Sequence, residues 1–269
     1  MPPMSRICLL FACLLCLAPC RAQENPEVAP VAQDIVAAGS LRTQSQRLAK
    51  LHRQAAMGID AERARRELRA GGERVDAALA RLARYAQKAD TRRTYARCDS
   101  LWRELRGELE RPGAAAGERV VQLADELMIT SGKLALQVEA QAEMPLGRLL
   151  DLSTRLNMLG QRLARLTLQI QSGDRSQGLR LDVEQARREF ATGLAELDAA
   201  RENSRAARQA IALARNQWIF FDLAIAQLDP GARKDGQAAR NVASSSERIA
   251  QMLDEASAQY LRDYGPGRS

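Results

Sequence analysis

The chain carries one unit twice. Residues 38–51 (AGSLRTQSQRLAKL) return in altered form at residues 153–166 (STRLNMLGQRLARL). At a constant offset of 115, six of these fourteen positions are identical: Leu41/Leu156, Gln46/Gln161, Arg47/Arg162, Leu48/Leu163, Ala49/Ala164 and Leu51/Leu166. Lys50/Arg165 keeps its charge. The offset persists in Leu79/Leu194, Leu82/Leu197 and Ser131/Ser246, while Trp102 and Trp218 match with one residue of slack. A period of this length is too long for a solenoid repeat and has the size of a domain. Two copies of one domain can pack as an intramolecular version of a homodimer.

Each copy reads as four helices. Ala, Leu, Arg, Gln and Glu dominate, prolines stand at ends and joints, and no stretch alternates like a strand. The first helix is expected over about 31–57, with Ile35, Ala38, Leu41, Ser45, Leu48 and Ala55 at helical spacing. Asp60 is placed to cap the second helix, and Gly71-Gly72 marks a bend within it. Leu181 and Leu213 fall among the apolar positions of the sixth and seventh helices, and Cys98 among those of the third. The fold class is all-α: two tandem antiparallel four-helix bundles, residues 28–142 and 146–262, packed as a pseudo-dimer.

The N-terminus has the pattern of a signal peptide, a basic Arg6 followed by an apolar run over 7–18. Small residues at Cys20 and Ala22 point to cleavage after residue 22 and to a periplasmic location. A lipoprotein would need Cys20 as its modified residue, where Pro19 fits poorly. Four of the five cysteines lie in this segment, which leaves Cys98 without an intrachain partner. No later apolar run is long enough to span a bilayer.

Composition narrows the function. The net charge of +7 is interspersed with acids along helical faces, and aromatic residues are only 4% of the chain, so no base-stacking platform exists and nucleic acid is not expected as a partner. His52 is the sole histidine, which excludes paired-histidine metal sites within one chain. There is no glycine loop of phosphate-binding type, and Ser244–Ser246 lack the context of a hydrolase nucleophile. Neither an enzyme nor a cofactor is expected.

The segment Gly39-Ser40-Leu41-Arg42-x-x-Ser45-x-Arg47-Leu48 resembles the opening-helix motif of nitrate/nitrite-sensing histidine kinases. Met158-Leu159-Gly160-Gln161-Arg162-Leu163-Ala164-Arg165 resembles the related motif of the N-terminal domain of type IV pilus methyl-accepting chemotaxis transducers. Trp102, Trp218 and the Ser-rich fourth helix fit the same group of periplasmic four-helix sensors. The resemblance implies a ligand site between the two first helices, holding a small oxyanion, nitrate or nitrite. Arg42 matches the anion-binding arginine, whose planar fork of donors suits a trigonal oxyanion. Gly39 matches the close-approach glycine, and Ser45, Thr154 and Asn157 complete the expected ligand-binding set. Thr154 and Asn157 replace the glycine and arginine of the second half-site, so only one arginine stands at the expected axis. Arg47 and Arg162 lie about 500° of helical rotation farther on and are expected to order the bundle surface. The sequence after Leu261 adds no span or signalling module, so the signal is expected to pass to a membrane-bound sensor kinase or chemoreceptor. The alternative is a ligand-free helical adaptor or scaffold in the cell envelope.

Overall fold

A computed structural model of the chain describes residues 28–111, 113–141, 145–227 and 236–263. The signal peptide expected at 1–22, with its cleavage site and Cys20, lies outside the described residues. Eight α-helices follow one another: α1 (Val28–Ala56), α2 (Ala61–Arg81), α3 (Arg92–Leu109), α4 (Ala114–Glu139), α5 (Pro145–Gln171), α6 (Gln177–Ala199), α7 (Arg205–Ala226) and α8 (Gly236–Asp263). A short 3₁₀ turn, Leu82–Ala86, ends α2. Among the described residues there is no strand, and no helix is long and apolar enough to cross a membrane.

The turns after α1 and α5 repeat the internal symmetry. Gly58 and Gly173, 115 residues apart, both take positive φ, +72° and +113°. In each case the next residue closes the helix end with a six-to-one bond, Ile59 N–H to Gln54 O at 3.0 Å and Asp174 N–H to Gln169 O at 3.3 Å. Glycine is suited to this position because the left-handed conformation crowds a Cβ. The expected side-chain cap at Asp60 does not form. Asp60 stands just before α2 in a left-handed conformation, and only its backbone carbonyl, accepting from Ala64 N–H, engages the helix. At Gly71-Gly72, where a bend was expected, α2 continues without a break in its helical structure. A Cβ on Gly71 would lie 2.8 Å from Leu48 Cδ2, so this glycine serves close packing of α2 on α1.

Packing follows the repeat. In the first half α1 lies against α2 and α4, and α3 against α4; in the second α5 lies against α6 and α8, and α7 against α8. The halves meet chiefly along α1 and α5. One continuous apolar core runs from Ile35 and Leu41 through Leu156 and Leu163 to Leu253 and Tyr260. Cys98 is buried in it, as its spacing with Leu101 and Trp102 required. Leu181 and Leu213 are not: both are exposed, as are Ile219, Phe220 and Leu223. Of the aromatic cluster on α7, Phe221 is buried and Trp218 stacks on Phe190 at 4.4 Å.

Enclosure on every side distinguishes the middle of α1, and α5 is nearly as buried but leaves Arg155 exposed. Every residue from Leu41 to Leu51 is buried. A helix buried all round is ordinarily apolar all round, yet this stretch contains Arg42, Gln44, Gln46, Arg47 and Lys50. Buried charges need partners. The partners they find define the site.

Candidate functional site at the crossing of the first helices

Gly39 and Thr154 meet where α1 crosses α5. A Cβ on Gly39 would lie 2.6 Å from Thr154 Cβ and closer still to its hydroxyl, so the helices touch here only because residue 39 has no side chain. Thr154 is the counterpart of Gly39 in the second copy. Equivalent positions therefore face each other, as they do on the axis of a two-fold interface.

One turn along α1, Arg42 reaches across to α5. Its Nη2 donates to Asp151 Oδ1 at 2.9 Å, to Asp151 O at 3.1 Å and to Thr154 Oγ1 at 3.2 Å. The Thr154 hydroxyl in turn donates to Asp151 O at 3.0 Å. Thr43 Oγ1 donates to Thr154 O at 3.2 Å and adds another tie across the same crossing. Burial lowers the Arg42 pKa, and the Asp151 carboxylate opposes that fall. Arg42 Nε is buried without a protein partner.

The five residues expected to form the site divide accordingly. Gly39, Arg42 and Thr154 come together at the crossing. Ser45 turns back into its own helix, donating to Arg42 O at 2.8 Å. Asn157 faces α8, where its amide donates to Asp254 Oδ1 at 2.8 Å. Ser45 and Asn157 therefore spend their donors inside the two halves rather than at the crossing.

Farther along, each first helix sends a cation into the fourth helix of the other half. Lys50 donates to Ser246 Oγ at 3.1 Å and pairs with Glu247 on α8. Arg165, its counterpart, donates to Gln46 Oε1 at 2.9 Å and to Asp125 Oδ1 on α4 at 2.9 Å. Arg47 joins the first of these ties. It grips Glu247 through Nε and Nη2 at 3.0 and 2.8 Å and also holds Glu67 of α2 at 2.7 Å. The expectation that Arg47 orders the bundle surface is thus corrected: α1 has no free surface here, and Arg47 binds the halves together. Arg162 is half-buried, with Asp182 at 3.8 Å. Burial alone would raise the Glu247 carboxyl, but Lys50 and Arg47 outweigh it and hold the group down at about 2. Burial lowers the Lys50 ammonium despite Glu247 beside it.

Asp151 and Glu247 escaped notice in the sequence. Asp151 precedes Thr154 by three residues on the same face of α5, but its counterpart in the first copy is Val36, so comparing the copies gives it no emphasis. The retained charge at Lys50/Arg165 was the legible sign of the cross-ties.

Residues 28–126 match the family model of the type IV pili methyl-accepting chemotaxis transducer N-terminal domain. The match ends within α4. No curated protein and no solved structure matches the chain.

Proposed function

We propose that this chain, whose residues 28–126 match the model of the transducer N-terminal domain, is a periplasmic sensory module of chemoreceptor type that acts by protein contact. In this reading a carboxylate of its own fills the anion position beside Arg42. The observation that carries it is the Arg42–Asp151 pair at 2.9 Å. Arg42 is the one cation the resemblance assigns to an external oxyanion. Asp151 already presents a carboxylate to it, and the Asp151 carbonyl and the Thr154 hydroxyl accept from the same Nη2. A bound nitrate or nitrite would have to displace a carboxylate tethered at effectively high local concentration.

We take residues 146–262 as a diverged second copy of the domain, supported by the pairs Gly58/Gly173, Lys50/Arg165 and Gly39/Thr154. The signal-peptide pattern of residues 1–22 supports the periplasmic location. A membrane-bound sensor kinase or chemoreceptor is the partner this reading requires. The chain would serve it as a binding module and not as an enzyme.

A second reading keeps the small oxyanion. The unpartnered Nε of Arg42 offers one donor that Asp151 does not use, and a nitrate or nitrite seated there would compete with Asp151. Calorimetric titration of both anions against the wild type, Asp151→Asn and Arg42→Ala separates the readings. The internal carboxylate predicts no saturable binding to the wild type. Saturable binding to the wild type that disappears in Arg42→Ala would overturn it in favour of the second.

A further inference from the structure

A cavity of about 960 Å³ opens at the far end of α1 from the Arg42 cluster. It lies where the end of α1 meets the starts of α2 and α4, the end of α3, and the α5 and α8 ends of the other half. Its apolar lining includes Met57, Leu68, Leu109 and Val121. His52, Arg53, Arg111 and Glu118 are among its polar lining residues. A largely apolar hollow of this size with a few converging polar groups is the usual form of a small-molecule site.

Arg53 gives the cavity its chemistry. Its Nη1 donates to Ser172 Oγ at 2.7 Å, which fixes the guanidinium, while its Nε is buried without a protein partner. His52 beside it is half-buried, and burial and the neighbouring Arg53 lower its pKa, so the ring is neutral near pH 7. Three arginines (Arg53, Arg65, Arg111) and two glutamates (Glu110, Glu118) line the cavity. The outer arginines already have acids, Arg65 with Glu62 and Arg111 with Glu108. Asp174 and Glu118 act on Arg53 electrostatically, and its unpartnered Nε is the donor left for a ligand. A single negative charge suits it, and the two glutamates would repel a dianion.

The second copy serves as an internal comparison. At the offset of 115, His52 and Arg53 correspond to Thr167 and Leu168, both buried. Thr167 bonds its own helix through Leu163 O at 2.6 Å, and Leu168 packs with Ile59 and Ala239. The equivalent helix positions are thus filled by small and apolar side chains, Leu168 packing on Ile59 and Ala239 of the cavity lining. The fold does not require a histidine and an arginine there.

We propose that this cavity binds a small monocarboxylate with an apolar body, its carboxylate on Arg53 and its hydrocarbon against Leu68, Leu109 and Val121. The proposal rests on reading the chain as a sensory module and supplies the ligand that the filled Arg42 cluster does not take. An α-amino acid would satisfy the same chemistry, with its ammonium near Glu118.

The test is calorimetric titration of hydrocinnamate, phenylalanine and the uncharged hydrocinnamamide against the full chain. It is repeated for Arg53→Gln, Gly117→Leu and Arg42→Ala. Gly117→Leu places a side chain over the His52 ring, since a Cβ there would sit 3.9 Å from His52 Cε1. Saturable binding is expected for at least one carboxylate, and the choice between the two acids reports whether an ammonium is also recognised. Arg53→Gln should weaken it about tenfold or more, the effect of losing a hydrogen bond to a charged group. Gly117→Leu should abolish it and Arg42→Ala should leave it intact. Binding of neither carboxylate overturns the proposal. So does equal binding of the amide, or binding that both Arg53→Gln and Gly117→Leu leave unchanged. Carboxylate binding lost in Arg42→Ala but kept in Arg53→Gln would instead overturn both this proposal and the internal-carboxylate reading of Arg42.

Discussion

Gly39 and Thr154, equivalent positions in the two copies, face each other across the α1–α5 crossing with room for only one side chain between them. A methyl on Gly39 would lie 2.6 Å from Thr154 Cβ, well inside van der Waals contact. The pair fixes how closely the helices approach and hence whether Arg42 reaches Asp151. Gly39→Ala should therefore lower stability by about 1–3 kcal/mol through overpacking, although alanine is the better helix former. In the Thr154→Gly background the same substitution should be neutral or mildly stabilising. Thermal or urea unfolding of the four proteins measures this, and an equal loss in both backgrounds would mean that the crossing does not set the spacing.

Acid should loosen the junction between the halves. The Glu247 carboxyl has an ordinary value of 4.5 and is held at about 2 in the fold by Lys50 and Arg47. A depressed acid stabilises the folded state fully above its unfolded pKa and loses that contribution as pH falls through its folded pKa. The loss should occur between about pH 5 and pH 2 and amount to at most about 3 kcal/mol, at 1.36 kcal/mol per unit. Glu247→Gln should be less stable at pH 7 and show a flatter acid limb. Urea unfolding across that range checks it, and an acid limb as steep as the wild type's would assign the effect to other carboxylates.

Cys98 should report on opening of the first half. Burial among Leu101, Trp102 and Leu105 pushes its thiol up to about 12, so both access and thiolate are lacking in the native state. In a chain starting at residue 23, where Cys98 is the sole thiol, a disulfide reagent at neutral pH should react in step with unfolding. Rapid stoichiometric reaction of the native protein would contradict the packing around α3.

Much of this architecture was legible in the residues, for physical reasons that also mark where legibility stops. Apolar spacing and the Gly58 and Gly173 turns are local, and the offset of 115 carried the eight helices and the pairing of α1 with α5. The polar interior was harder to read. Arg47 looks like a surface residue until α1 is known to be enclosed, because its partner Glu247 lies 200 positions away. Arg42 was expected at the meeting of the first helices and lies there, but its partner Asp151 was hidden because Val36, 115 positions earlier, carries no charge. Gly71 illustrates the same limit: its close approach to Leu48, on another helix, leaves no local sign in the sequence.

The most direct test of the central claim, that Asp151 holds Arg42 in place of an external anion, is a double-mutant cycle on stability with Arg42→Ala, Asp151→Ala and the pair. Hydrogen bonds between charged groups contribute about 1.5–3 kcal/mol, so a coupling of at least about 1 kcal/mol is predicted, with the double variant less damaged than the sum of the singles. Additivity within about 0.5 kcal/mol would contradict the claim and leave Arg42 free for another partner.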